Sequence, residues 1–212
     1  MPSQRLPTSW RNRLRISVRA MMILVLVLGA ALAWLERRAS VQREAVAAIQ
    51  KSGGRVRYEW ERKNDNPVPN GRPGWPSWLV DRVGIDYFGN VVFVELSEKG
   101  SDAEMVHIGR LRRLEELYLY VSAASHNPVS RLTDAGIVHI AGLKRLRSMV
   151  LSSNRVGDPG LAHLKELTGL KLLAITMTQA TPEGVAALQK SLPELRLTWY
   201  GCTTPCSTPD CR

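Results

Sequence analysis

Two apolar patterns recur along the chain and keep phase with each other. The first is the spacing LxxLxL, found as Leu114, Leu117, Leu119, as Leu146, Met149, Leu151, as Leu170, Leu173, Ile175, and as Leu192, Leu195, Leu197. A weaker copy is Val91, Val94, Leu96, so the copies start at residues 91, 114, 146, 170 and 192, with separations of 23, 32, 24 and 22. The alternation that closes each copy predicts a short strand with one buried face.

The second pattern predicts a helix start after each strand. Thr133-Asp134-Ala135-Gly136, Gly157-Asp158-Pro159-Gly160 and Thr181-Pro182-Glu183-Gly184 precede the series Ile137, Ile140, Leu143, the series Leu161, Leu164, Leu167, and the pair Val185, Leu188; Ser101-Asp102-Ala103-Glu104 fills the same slot in the first copy. Thr or Ser caps free backbone N–H groups, an acidic residue in the first turn complements the helix dipole, and Pro is tolerated there because its missing N–H needs no partner. Each unit then reads as strand, turn and returning helix. Such a unit cannot bury its apolar side alone, and stacked copies build one continuous core.

These motifs resemble the leucine-rich repeat family, in its short bacterial type with about 24 residues per unit and a TDAGLxxL helix start. The resemblance covers residues 91–200. It implies an α/β fold, a leucine-rich repeat solenoid with parallel short strands on the concave side and short helices on the convex side. The chain departs from the family pattern at the turn Asn after the strand, present only as Asn154, with Lys99, Ser122 and Thr178 in the corresponding places. It departs again between Leu119 and Ile137, where about eight extra residues within VSAASHNPVSR predict a loop at one rim.

In that architecture the residues between the buried strand positions face outward. Two columns result, Glu95, Tyr118, Val150, Ala174, Arg196 and Ser97, Tyr120, Ser152, Thr176, Thr198, flanked by Glu116, Ser148, Leu172 and Glu194. Tyr118 and Tyr120 beside Val150 form an aromatic and small-residue patch suited to a protein or peptide partner.

Before the repeats, Ala20 to Leu35 contains no charged residue. Extended back to Ile16, with Arg19 near its end and Trp34 at the other, it is long enough for a transmembrane helix or signal anchor. A cleaved signal peptide ending at Ala31-Leu32-Ala33 is the rival reading, and the helix-like continuation through Glu36, Arg37 and Arg38 to Ile49 favours a retained anchor. Five basic residues precede the span and five follow it closely, so charge leaves the orientation balanced. The short N-terminal tail without acidic residues leans toward export of the folded part.

The layout expected is a basic tail over 1–15, the membrane helix over 16–35, a stalk helix over 36–51 ending at Gly53-Gly54, a capping region over 52–90, the repeats over 91–200 and a flexible tail over 201–212. Within the cap, Arg55 to Trp60 alternates like a strand, and the stretch NDNPVPNGRPGWP is read as irregular. Trp75, Trp78, Tyr87 and Phe88 are expected to cover the open end of the stack.

Charge separates the protein from nucleic-acid binders despite a net +10. Residues 1–63 hold 13 of the 29 Lys and Arg against 4 acidic residues, whereas the rest hold 16 against 15. The basic excess lies beside the apolar segment rather than on the repeats, so no nucleic-acid partner is expected.

His107, His139 and His163 hold one position in successive units and are read as structural, since neighbouring units place them too far apart for one ion. Ser125-His126 and Gly157-Asp158-Pro159-Gly160 do not form a nucleophile elbow or phosphate loop, and HExxH is absent from the sequence. The expectation is a non-catalytic protein with no cofactor, metal or small-molecule substrate. Cys202, Cys206 and Cys211 lie in the tail, where an oxidising compartment would let two pair and leave one free to link another chain. The alternative functions are a structural envelope component cross-linked through these thiols and, ranked third, an enzyme with no recognisable motif.

Overall fold

The computed structural model describes residues 18–63, 66–67, 71, 73–97, 100–120 and 131–200. The chain forms two compact units, residues 1–37 and 38–212. Helix α1, Val18–Lys51, starts in the first and ends in the second. In the first unit the side chains of Met21 to Leu28, Leu32 and Trp34 are all exposed. This is a helix long and apolar enough to cross a membrane.

In the second unit α1 changes character. Ala39, Gln42, Ala45, Val46 and Ile49 are buried at helical spacing, and Ala45, Val46 and Ile49 join the core. The segment expected as a stalk therefore supplies one wall of the folded unit instead of standing free. Gly53, at φ 76°, ends the helix in a backbone region open to glycine, and Gly54 N–H donates to Ile49 O at 2.8 Å.

Strands β1 (Arg55–Tyr58), β4 (Val91–Leu96), β5 (Glu116–Leu119), β6 (Ser148–Ser152), β7 (Leu172–Thr176) and β8 (Arg196–Tyr200) form one sheet in that order. β1 runs antiparallel to β4, and every later pair is parallel. Two further strands, β2 (Arg62–Lys63) and β3 (Asn66–Pro67), pair with each other, so the stretch read as irregular contributes one short strand, β3. Helix α2 spans Ser77–Val83, and α3 (Asp102–Ile108), α4 (Asp134–Ile140), α5 (Asp158–Leu164) and α6 (Pro182–Ser191) connect the parallel strands. The result is an α/β fold with a mostly parallel sheet.

The apolar spacing becomes core in rows. Val94, Leu117, Met149 and Leu173 align across the strands, as do Leu96, Leu119, Leu151 and Ile175, and all eight are buried. The helices meet them with Met105 and Ile108, Ile137 and Ile140, Leu161 and Leu164, then Leu188. Between helix and strand the same turn repeats: Leu114 N–H donates to Leu111 O, Leu146 to Leu143 and Leu170 to Leu167, at 2.9 to 3.0 Å. Each turn buries two leucines while keeping its backbone paired, which is what allows so short a connection.

The helix starts are linked from unit to unit. Asp102 accepts from Thr133 N (2.8 Å) and Thr133 Oγ1 (2.7 Å), and Asp158 accepts from Thr181 N (2.9 Å) and Thr181 Oγ1 (2.7 Å). The first-turn acid thus serves the cap of the next helix as well as the dipole of its own.

Two sequence readings change at the ends of the sheet. Trp75 and Trp78 do not cover the open end; they are 56% and 67% exposed. β1 closes that edge by antiparallel pairing, backed by Tyr58 and Trp60 stacked at 4.9 Å, and Trp60 packs so tightly on Gly89 that no Cβ would fit there. At the other end Leu197 stands opposite Leu173 and not opposite Ile175, as the LxxLxL match at Leu192, Leu195 and Leu197 would require. Helix α6 has ten residues where α3, α4 and α5 have seven, and Leu192 and Leu195 fill the turn positions, with Leu195 N–H donating to Leu192 O at 3.1 Å.

Candidate functional site: the outer face of the sheet

Strand alternation sends one set of side chains away from the helices. Register places Arg57 beside Phe93, then Phe93, Glu116, Ser148, Leu172 and Arg196 in one row. Arg55, Glu95, Tyr118, Val150, Ala174 and Thr198 form the next, and Ser152, Thr176 and Tyr200 the last. Arg196 and Thr198 therefore each sit one row from their expected places, and Tyr200 takes the position assigned to Thr198. The cause is the shifted phase of the final unit.

Burial divides these residues. Glu95, Glu116, Tyr118, Val150, Ala174 and Thr176 are half-buried, and Ser97, Tyr120, Leu172, Arg196 and Thr198 are exposed. Ser152, expected at the surface, is buried. The neighbouring Ser153 is buried too, where its hydroxyl donates to Leu132 O at 2.8 Å and accepts from Arg155 N at 3.3 Å. Ser153, rather than the exposed Asn154, is the inward polar residue of this turn.

An aromatic cluster concentrates at the β4–β5 end. The rings of Phe93 and Tyr118 meet edge to face at 5.1 Å, and those of Tyr118 and Tyr120 lie 6.0 Å apart. The Arg57 guanidinium lies 3.5 Å from the centroid of the Phe93 ring, over its face. Burial pushes the Tyr120 hydroxyl above the usual phenol range; the charge of Glu95 and the neighbouring Tyr118 add to the shift, and Arg57 opposes it. Tyr120 is thus a neutral donor at physiological pH, 38% exposed and under the influence of the Glu95 carboxylate and Arg57.

Phe93 and Arg57 are the members that sequence reading missed. Phe93 is two residues before Glu95 in an alternating strand, so its outward position was readable, but the apolar run Val91 to Val94 marks it as core. Arg57 reaches the face only through the antiparallel pairing of β1, which nothing local in RVRY announces.

The remaining candidates lie elsewhere. His107, His139 and His163 each occupy the last turn of their helices, on the side of the sheet opposite this face. Among the described residues no group of three or more His, Cys, Asp or Glu side chains is placed to hold a metal ion. His126, Lys99, Ser122, the rim loop and Cys202, Cys206 and Cys211 lie outside the described residues. No protein-family model matches the chain, and no curated protein matches it.

Proposed function

We propose that this is a membrane-anchored recognition protein of the leucine-rich repeat type, whose sheet face binds a protein or peptide partner without chemistry. The observation that carries the reading is the pair Tyr118 and Tyr120 on the outer face of the sheet, braced by Phe93, which is itself buried beneath Arg57 and Tyr118. Aromatic side chains locked by their neighbours offer contact area at little entropic cost, and Arg and Tyr are the residues that most often anchor an interface. Glu95 and Glu116 beside them favour a partner segment carrying basic as well as apolar side chains. The repeat spacing and the strand order support the solenoid reading, and the apolar part of α1 supports a membrane span; its retention and the export of the second unit belong to the proposal.

The test is a photo-crosslinking residue at position 120, compared with one at the exposed Glu183 of α6. With the protein in its native membrane, position 120 should give a discrete adduct that position 183 does not. Identical patterns at both positions would overturn the assignment of the face.

A further inference from the structure

Trp75 and Trp78 lack the end-covering role their position suggested, and they stand as two exposed aromatic side chains at the start of α2. Free exposure of two tryptophans in water is costly, and one end apolar, one end wet is the situation tryptophan suits best. Trp75 is held against Phe88, ring centroids 5.5 Å apart. The segment carrying Phe88 is tied to the start of the second unit: Gln42 Nε2 donates to Gly89 O (2.9 Å) and Asp86 Oδ1 (3.0 Å), and Arg38 donates to Asn90 Oδ1.

Arg38 lies three residues beyond Leu35, the last residue of the uncharged run. Three residues reach about 11 Å at most in any conformation. The headgroup layers add roughly 5–8 Å on each side of a hydrocarbon core of about 30 Å. A loop bonded to Arg38 and Gln42 is therefore within reach of the headgroup layer wherever the uncharged run is embedded. Across residues 36–44 and 75–90 the charges balance, Arg37, Arg38, Arg43 and Arg82 against Glu36, Glu44, Asp81 and Asp86, so no net charge opposes a lipid surface here.

We infer that Trp75 and Trp78 insert into the lipid headgroup layer, giving the folded unit a second attachment to the membrane besides its helix. The inference rests on the retained-anchor reading. Two attachments fix the tilt of the folded unit, so that its sheet face is presented in one direction and not swept through many.

The full chain contains six tryptophans, so the wild type is compared with the double variant Trp75→Phe, Trp78→Phe and the difference emission isolates the pair. Both are reconstituted in phosphatidylcholine–phosphatidylglycerol vesicles whose acyl chains carry bromine at a shallow or a deep position. The expected difference spectrum is blue-shifted, loses most of its intensity to shallow bromine and less to deep bromine, and resists aqueous iodide. Emission that is red-shifted and quenched by iodide alone overturns the inference, as does blue emission insensitive to bromine and iodide alike, which means that protein covers the patch. Alkaline carbonate extraction of the same vesicles separates the two readings. Release of the wild type overturns the anchor and this contact together, whereas retention with iodide-accessible tryptophans overturns the contact alone.

Discussion

Asp134 and Gly160 belong to consecutive helices and occupy one space: Asp134 Oδ1 accepts from Gly160 N at 3.0 Å, and a Cβ on Gly160 would collide with that oxygen. The same oxygen accepts from Gly157 N at 2.9 Å. The steric part recurs, since a Cβ on Gly136 would meet Asp102 and one on Gly184 would meet Asp158, although those carboxylates accept from Thr133 N and Thr181 N instead. The fourth residue of each TDAG-like motif is thus small because the preceding unit's carboxylate fills the site of its side chain.

Gly160→Ala should therefore destabilise, although alanine in a helix is ordinarily better than glycine by about 1 kcal/mol. The expected cost is about 1–3 kcal/mol, the range of overpacking, read from the shift of the urea midpoint. Adding Asp134→Ala should recover part of that loss, and a double-mutant cycle that is additive would show that the two sites do not share space.

Leu164 is fully buried in α5, while Val138 in α4 is 46% exposed. Leu164→Ala should cost about 2–5 kcal/mol, and Val138→Ala should stay within about 0.5 kcal/mol. Similar losses at both would mean that the helices present other faces to the sheet.

Tyr58 donates to Asp86 Oδ1 at 3.1 Å, and burial first, then the Asp86 charge, pushes its hydroxyl above the ordinary value of 10.0. A phenol harder to ionise in the folded state contributes stability that is complete below the unfolded value and is lost as pH rises past it toward the folded one. Alkaline titration of stability should show this loss, and Tyr58→Phe should flatten it while costing about 1 kcal/mol near neutrality. A variant with an unchanged alkaline slope would point to another group.

Glu104 gives the opposite sign. Burial works against its ionisation, but hydrogen bonds from Ser101 and from Ser52 Oγ (2.5 Å) prevail and hold its carboxyl below 4.5. Its contribution is present above that value and disappears as pH falls through the folded one. Glu104→Gln should lower stability near neutrality and reduce the acid sensitivity, measured by denaturant midpoints at both pH values.

Local chemistry made the inner units legible. The strand rows through Leu117, Met149 and Leu173 and the starts of α4, α5 and α6 follow from spacing and capping residues alone. What escaped depends on distant partners. Leu197 was misphased because α6 gained residues while its leucines still matched the template; Ser152 was taken for a surface residue because alternation is silent on how a strand ends. The outer face was half readable: Tyr118 and Tyr120 stand out in the sequence, but Arg57 joins them only through a pairing across more than thirty positions.

The Asp–Gly interlock has a direction, and its two ends differ. Helix α3 carries Glu104 in the slot that Gly136, Gly160 and Gly184 occupy, and α6 carries Pro182 where the other helices have Asp. An internal unit is thus a piece with a socket on one side and a plug on the other, whereas each terminal unit has only one of them. Removing or repeating one inner unit would leave every remaining socket facing a plug, so the interlock fits a sheet of any number of such units with both ends unchanged.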